Sequence, residues 1–234
     1  TGSVYRAGAM TIAILGAGAL GCTFGAALTE AGHDTWLLGR PGAQLDALRD
    51  SGLRVDDAAG QRVIGVQATA DAVEVGQVEL VVVLVKSFQT AAAMRAAQEL
   101  VGPQTAVLSL QNGLGHEEDL ARVVGPDRVL LGSTLVGGVL LGPGHIRAET
   151  GRHTWLGEID GPGTPRVQAI AELFTAAGLA TTVSDDMIAT RWEKLLVNVA
   201  TGAIAALTGL TYGQLATENA LQDVAAEAVA EALA

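Results

Sequence analysis

A short glycine-rich segment near the start of the chain constrains its fold more than any other feature. Residues 12–15 form an apolar run that leads directly into Gly16-Ala17-Gly18-Ala19-Leu20-Gly21 and then into small residues typical of a helix. This order predicts a strand, a tight turn and a helix. In dinucleotide-binding folds the first glycine allows the turn, the second lets the backbone approach a pyrophosphate, and the third lets helix and strand pack closely. We therefore expect residues 16–21 to bind a dinucleotide, the alternative being a glycine-rich turn without a ligand.

The composition argues against several classes of protein. With 234 residues and 49% hydrophobic side chains, the chain can bury a large core in one or two domains. Its net charge of -11 at pH 7 argues against a nucleic-acid partner, which would require a basic surface. No apolar run approaches the roughly 20 residues of a membrane span, and residues 1–9 lack the apolar core of a secretory signal. The single cysteine, Cys22, cannot form an intrachain disulfide, so we expect a cytoplasmic protein without a membrane partner.

The end of the second predicted strand bears on the choice of cofactor. Residues 33–38 form this strand, and Gly39-Arg40 follows it. An acidic residue at this place takes the ribose hydroxyls of NAD, whereas a basic residue accommodates the 2′-phosphate of NADP. Arg40 therefore favours NADPH, the alternative being an arginine that is only solvated in a loop.

Two further predicted strands deliver polar side chains to the same edge of the sheet. Residues 78–85 are an apolar run typical of a buried parallel strand and precede Lys86, while residues 105–110 precede Gln111-Asn112-Gly113. Ligands of open α/β sheets bind outside the carboxyl ends of the strands, so Lys86 and Asn112 are candidates for contacts with cofactor or substrate. Both also fit simpler roles, as a solvated lysine and as part of an Asn-Gly turn.

The remaining patterns complete a mixed α/β fold. We expect a hairpin between residues 52–55 and 62–64, helices over 41–51, 89–101, 116–124, 165–177 and 217–234, and a short strand at 180–183. Gly102-Pro103 is expected to end the helix over residues 89–101. Strands interrupted by glycines within residues 128–141 and 145–158 indicate an antiparallel extension of the main sheet. His116, His145 and His153 have no metal-ligand spacing, so no metal site is expected.

A second domain is expected to begin with a long helix over residues 187–207. Lys194 and Asn198 lie one turn apart and share a face of this helix, among the apolar residues 195–197. A lysine in such surroundings must extend to solvent, pair with a carboxylate or face a cleft. In a cleft, burial would bring its pKa towards the working pH and suit it to protonate a carbonyl oxygen. A structural lysine in a salt bridge is the alternative.

Several of these segments together resemble the ketopantoate reductase (2-dehydropantoate 2-reductase) family. The matching segments are Gly16-Ala17-Gly18-Ala19-Leu20-Gly21, Leu38-Gly39-Arg40, Val85-Lys86-Ser87, Gln111-Asn112-Gly113-Leu114-Gly115, Leu141-Gly142-Pro143-Gly144 and Arg191-Trp192-Glu193-Lys194-Leu195-Leu196-Val197-Asn198. The glycine motif occurs in many dehydrogenases, whereas the Asn-Gly turn followed by Trp-x-Lys-x-x-x-Asn is much more specific.

The resemblance implies an NADPH-dependent reduction of a 2-oxo acid, 2-dehydropantoate, to the 2-hydroxy acid on the route to pantothenate and coenzyme A. It implies that Lys194 is the catalytic lysine, which holds and protonates the carbonyl oxygen, and that Asn198 and Asn112 bind the substrate. The glycine motif, Arg40, Lys86 and Asn112 would then bind the cofactor, with Arg40 on the 2′-phosphate.

Two departures from the family pattern keep alternatives open. Gly202-Ala203 stands where family members commonly have Asn-Pro or Asn-Ala, so a related NAD(P)-dependent 2-hydroxy-acid dehydrogenase is an alternative. Family members also continue for roughly a third more chain, with a serine and a glutamate that contact the substrate. The sequence is accordingly expected to be a fragment, or else a non-catalytic NADPH-binding module.

The resulting expectation is a two-part chain. Residues 1–184 form an NADP-binding, Rossmann-type domain with a doubly wound, mostly parallel sheet and an antiparallel extension. Residues 185–234 form the first part of an all-α substrate and dimerisation domain. An incomplete helical domain of this kind favours a homodimer.

Overall fold

The computed structural model of the chain describes residues 9–234, in which strands and helices alternate through most of the length. The strands are β1 (Thr11–Leu15), β2 (Asp34–Leu38), β3 (Leu53–Asp57), β4 (Gly60–Ile64), β5 (Gln67–Thr69), β6 (Val78–Val83), β7 (Val101–Ser109), β8 (Val129–Thr134), β9 (Gly137–Gly142), β10 (His145–Glu149), β11 (Thr154–Glu158) and β12 (Thr181–Val183). The α-helices are α1 (Ala19–Glu30), α2 (Ala43–Ser51), α3 (Ala72–Val75), α4 (Thr90–Ala96), α5 (His116–Val124), α6 (Pro165–Ala176), α7 (Met187–Thr208), α8 (Tyr212–Leu215) and α9 (Asn219–Leu233).

The main sheet has eight strands in the order β12-β11-β8-β7-β6-β1-β2-β5. All neighbouring strands are parallel except β11, which runs antiparallel to β8. The chain builds outwards from β1 in both directions, first to β2 and later to β6, which confirms the predicted doubly wound sheet. The core of β6 is fully buried, as a parallel strand covered on both faces requires.

A second sheet has four strands in the order β4-β3-β10-β9 and corrects part of the sequence interpretation. The hairpin of β3 and β4 is confirmed. We expected β9 and β10 to extend the main sheet, but they pair with this hairpin. The antiparallel extension of the main sheet consists of β11, which is antiparallel to β8, and β12, which is parallel to β11. The interpretation failed because an apolar pattern shows that a strand is covered on a face but does not identify its hydrogen-bonding partner.

Helix α1 lies between the two sheets. The second sheet covers a side of α1 that the main sheet does not contact. A Cβ atom added to Gly25 would lie 2.7 Å from Cδ2 of Leu37 in β2, so the helix is in close contact with the main sheet. A Cβ atom added to Gly138 in β9 would lie 3.1 Å from the carbonyl oxygen of Ala19, so the second sheet contacts the same helix. Small residues therefore allow α1 to be covered by both sheets.

The helix predicted over residues 89–101 is shorter than expected. Helix α4 ends at Ala96, a 3₁₀ turn follows at Gln98–Leu100, and β7 already begins at Val101. Gly102 and Pro103, expected to stop a helix, are therefore part of a strand. The pairing of β6 and β7 is irregular there, and the Gly102 N–H donates to Oγ1 of Thr105 at 2.8 Å. A proline is tolerated where the regular ladder is interrupted in this way.

The chain divides into two compact units, one ending at Met187 and the other beginning at Ile188. The second unit consists of helices α7, α8 and α9, of which α8 was not predicted. Its long first helix was expected over residues 187–207, and α7 spans Met187–Thr208. Among residues 9–234, no helix is both long and apolar enough to cross a membrane.

Candidate active site

The glycine loop between β1 and α1 has one open and two crowded positions. Gly16 has a φ of 118°, and a Cβ atom there would lie 2.9 Å from the backbone of Leu84. A Cβ atom on Gly21 would lie 1.8 Å from the carbonyl oxygen of Gly16. A Cβ atom on Gly18, by contrast, would have no atom within 4 Å. The loop is therefore closed against the sheet at its ends and accessible at its centre, which fits the approach of a pyrophosphate.

Four neighbouring parallel strands end level with one another at this edge of the main sheet. Leu15 of β1 pairs with Leu38 of β2 on one side and with Val83 of β6 on the other, and Val83 pairs with Ser109 of β7. The segments that follow these residues therefore leave the sheet side by side. This edge includes the position next to β1 at which the strand order reverses, where open α/β sheets bind ligands.

The predicted cofactor residues of the first unit all follow these strand ends. Gly18, Lys86 and Asn112 each lie three residues beyond the paired ends of β1, β6 and β7, and Arg40 lies two residues beyond the end of β2. All four residues are exposed. The fold thus brings these four residues, from separate segments of the sequence, to the one edge of the sheet at which they were predicted.

Arg40 extends from a segment that packs against the glycine loop. The Gly39 N–H donates to the carbonyl oxygen of Thr69 at 3.0 Å, and a Cβ atom on Gly39 would lie 3.1 Å from Cβ of Ala17. In the part of the chain that the structure describes, the Arg40 guanidinium forms no hydrogen bond or ion pair. Its charge is therefore available at the end of β2, where a 2′-phosphate would require it.

Gln111 organises the loops that carry Lys86 and Asn112, a role that the sequence analysis did not assign. Its buried Nε2 donates to the carbonyl oxygen of Val85 and to Oγ1 of Thr90, both at 2.8 Å. The side chain thus ties the loop after β7 to the loop after β6. The available signal was its position at the end of a buried strand, directly before the Asn112-Gly113 turn. The sequence analysis assigned a role only to Asn112 of that turn.

Gln44 of α2 is the second residue that the sequence analysis missed. Its Nε2 donates to the carbonyl oxygen of Ala17 at 3.0 Å, and its Oε1 accepts the N–H of Gly144 at 2.8 Å. These partners are 27 and 100 residues away along the chain, so no local pattern could have identified the contact.

Lys194 and Asn198 lie on α7 in the second unit. They are one turn apart, with Lys194 half-buried and Asn198 exposed. Burial lowers the pKa of the Lys194 ammonium below its ordinary value of 10.5, because desolvation disfavours the charged form. Gly202 follows one turn later, and a Cβ atom there would have no atom within 4 Å.

A cavity of about 260 Å³ lies elsewhere in the first unit, beside the C-terminal end of α1. Two carboxylates of its lining share one guanidinium, since Arg62 contacts Glu30 at 2.6 Å and Asp57 at 2.8 Å. Hydrogen bonds to these carboxylates raise the pKa of Arg62. None of the predicted cofactor residues at the carboxyl edge of the sheet lines this cavity, and its guanidinium is fully paired with carboxylates.

Comparison with known proteins agrees with this arrangement over nearly the whole chain. The family profile described as Ketopantoate reductase PanE/ApbA matches residues 12–161, and the profile of the C-terminal part of the same family matches residues 186–234. The chain belongs to the ketopantoate reductase family. It is thus a member of a family of NAD(P)-dependent reductases.

Individual ketopantoate reductases are similar in sequence and in structure. The 2-dehydropantoate 2-reductase of Halobacterium salinarum is 38% identical over 208 residues, which make up 88% of this chain and 68% of that protein. The 2-dehydropantoate 2-reductase of Pyrococcus horikoshii is 33% identical over 95% of this chain and 72% of its own length. The crystal structure of 2-dehydropantoate 2-reductase from Geobacter metallireducens GS-15 has a TM-score of 0.85 at 31% identity, covering 92% of this chain and 71% of that one.

Proposed function

We propose that this protein reduces 2-dehydropantoate to pantoate with NADPH. The observation that carries the proposal is the agreement between family membership and the glycine loop, whose central position is open while its ends are closely packed. The reaction consumes one 2-oxo acid, one hydride and one proton and yields a 2-hydroxy acid. Its product belongs to the synthesis of pantothenate and coenzyme A, which is consistent with a cytoplasmic location.

The first unit holds the cofactor in this proposal. Backbone N–H groups at Gly18 and the first turn of α1 bind the pyrophosphate, favoured by the positive end of the helix dipole. Lys86 and Asn112 contact the cofactor beyond β6 and β7, and Asn112 also contacts the substrate. A bound nicotinamide supplies the hydride, while the protein supplies alignment and electrostatic stabilisation.

Arg40 supports the choice of NADPH over NADH. It is exposed at the end of β2, and no carboxylate of residues 9–234 neutralises its guanidinium. An arginine binds a phosphate in a bidentate manner with a planar set of donors, which gives geometric specificity in addition to charge.

Lys194 donates the proton to the carbonyl oxygen of the substrate, and Asn198 binds the substrate beside it. The lowered pKa of the Lys194 ammonium supports this role, because a general acid works best when its pKa approaches the operating pH. The same ammonium stabilises the negative charge that develops on the oxygen as the hydride arrives.

The domain organisation follows the same assignment. Residues 1–184 act as the NADP-binding domain, and residues 185–234 contribute to an α-helical substrate and dimerisation domain. The division of the chain into units at Met187 and Ile188 supports this organisation. A homodimer is the proposed assembly, and sedimentation equilibrium of the purified chain tests it.

A second candidate is a related 2-hydroxy-acid dehydrogenase with another substrate. Gly202 favours it, because this position lies two turns beyond Lys194 on α7 and has open space where a side chain would extend. Removing a polar side chain beside a substrate changes which substituents the site accepts.

Substrate profiling of the purified chain separates the two candidates. NADPH oxidation is followed by absorbance with 2-dehydropantoate and with linear and aromatic 2-oxo acids. The proposal requires the highest kcat/KM for 2-dehydropantoate. A higher kcat/KM for another 2-oxo acid would establish the second candidate, and NADPH binding without turnover of any of them would contradict both.

A further inference from the structure

Gln44 links three segments of the first unit through one amide. Its Nε2 lies 3.0 Å from the carbonyl oxygen of Ala17 in the glycine loop and 3.5 Å from Sγ of Cys22 in α1. Its Oε1 accepts the N–H of Gly144, in the turn between β9 and β10, at 2.8 Å. A backbone N–H can only donate and a carbonyl oxygen can only accept, so the two partners determine which end of the amide faces which.

The Gly144 turn is itself held firmly. Gly144 has a φ of 65°, its carbonyl oxygen accepts the N–H of Arg54 at 2.8 Å, and a Cβ atom on it would lie 3.0 Å from Cβ of Ala47. The turn therefore packs on α2 and gives the Gln44 side chain a rigid partner on the side away from the glycine loop. This also gives a structural reason for the Leu141-Gly142-Pro143-Gly144 segment, for which the sequence analysis named no role.

The contact with Ala17 determines where the next peptide N–H points. The peptide bonds of residues 9–234 are all trans, and in a trans peptide the C=O and the following N–H point in opposite directions. The Ala17 oxygen accepts from Gln44 at 3.0 Å and from the Cys22 thiol at the longer distance of 3.5 Å, so the Gly18 N–H is directed away from α2. That N–H has no hydrogen-bond acceptor within the described part of the chain, and the Gly18 side of the loop is open.

We infer that Gln44 is a positioning residue that orients the peptide between Ala17 and Gly18 for the pyrophosphate of the dinucleotide. The inference rests on the proposed function, because it assumes that the glycine loop binds a dinucleotide. Gln44 contributes to the affinity for every ligand that contains the pyrophosphate, with or without the 2′-phosphate.

The test measures dissociation constants of NADH and ADP-ribose by calorimetry for the wild-type chain and three variants. Gln44→Met keeps the size of the side chain and removes the hydrogen bonds to Ala17, Cys22 and Gly144. Gln44→Glu keeps an acceptor for the Gly144 N–H but, at neutral pH, has no proton to donate to Ala17. Gln168→Met is the control, because Gln168 is an exposed glutamine of α6 whose amide donates to Glu172 at 3.0 Å. Thermal unfolding shows that each variant is folded.

We expect Gln44→Met to raise both dissociation constants by about tenfold, the value of one hydrogen bond, and Gln168→Met to change neither. Gln44→Glu weakens both ligands at least as much at neutral pH. Relative to wild type, its affinity recovers as the pH falls towards the carboxyl pKa, because the protonated carboxyl can donate to Ala17. Gln44→Met carries no charge, so its loss of affinity separates the missing hydrogen bonds from the repulsion between a carboxylate and the pyrophosphate.

Two outcomes overturn the inference alone: wild-type affinity in Gln44→Met, or wild-type affinity in Gln44→Glu at neutral pH. If the wild-type chain binds neither NADH nor ADP-ribose, the proposed function fails, and the inference fails with it. The wild-type titration therefore separates the two cases.

Discussion

The glycine loop and the face of α7 that carries Lys194 contribute to the proposed reaction in opposite ways. The loop requires glycine at two positions, since side chains at Gly16 or Gly21 would overlap the backbone. The face of α7 requires two side-chain groups one turn apart, the ammonium of Lys194 and the amide of Asn198. Adding a methyl group is therefore the sensitive change in the loop, whereas truncating a side chain is the sensitive change on the helix.

Truncating Lys194 tests the helical side of this comparison and has the largest expected effect. Lys194→Ala removes the proposed proton donor, so kcat for 2-dehydropantoate reduction should fall by about 10³-fold, within the range of general acid catalysis. The dissociation constant of NADPH should not change. Steady-state kinetics and calorimetric titration measure the two quantities. Glu193→Ala, on the neighbouring exposed residue, is the control, and a similar loss of kcat there would assign the effect to α7 as a whole.

Removing the Arg40 charge tests whether the first unit recognises the 2′-phosphate that distinguishes NADPH from NADH. A hydrogen bond to a charged group contributes about 1.5–3 kcal/mol, so Arg40→Gln should weaken NADPH binding by about 10- to 100-fold. NADH lacks the 2′-phosphate and should bind as before. Arg95→Gln, in exposed surroundings on α4, serves as the matched control. Equal weakening of both cofactors by Arg40→Gln would show that Arg40 does not contact the 2′-phosphate.

Adding one methyl group at two positions of the loop separates folding from binding. Gly21→Ala should lower the free energy of unfolding by about 1–3 kcal/mol, because its Cβ overlaps the Gly16 carbonyl oxygen. Gly18→Ala should leave the free energy of unfolding unchanged or slightly raised, since Gly18 has a φ of -83° and open surroundings. It should nevertheless weaken NADPH by about tenfold by obstructing the pyrophosphate. Urea unfolding and NADPH titration measure both effects, and unaltered NADPH affinity in Gly18→Ala would contradict the assignment of the loop.

The dependence of kcat/KM on pH is the smallest and most gradual of the expected effects. In the proposed reaction the protonated Lys194 ammonium is the active form, and burial lowers its pKa, so proton loss begins at a lower pH than for a solvated lysine. In the alkaline range kcat/KM for reduction should therefore fall as the pH rises through this lowered pKa. The profile of Lys194→Ala should lack that alkaline decline. A decline that persists in Lys194→Ala would have to come from another group.

Sequence patterns predicted the parts of the fold and the candidate site that depend on local order. The glycine motif, Arg40, Lys86 and Asn112 each follow an apolar run, and the location of a strand end is a local property. The partners of β9 and β10 and the contacts of Gln44 depend on residues far apart in the chain, which one sequence does not bring together. Gly102 and Pro103 were misassigned because an irregular ladder tolerates residues that usually end an element.

The position of α1 between two sheets has a consequence for how the first unit opens and closes. A helix covered on both sides cannot expose its amides by detaching from one neighbour alone, so both sheets must separate before exchange occurs. Amide hydrogens in the middle of α1 should therefore exchange with solvent more slowly than those of helices covered on one side, whereas the N–H groups of its first turn, which have no acceptor within the helix, should exchange freely. The glycine loop, which we propose binds the dinucleotide, leads directly into this helix.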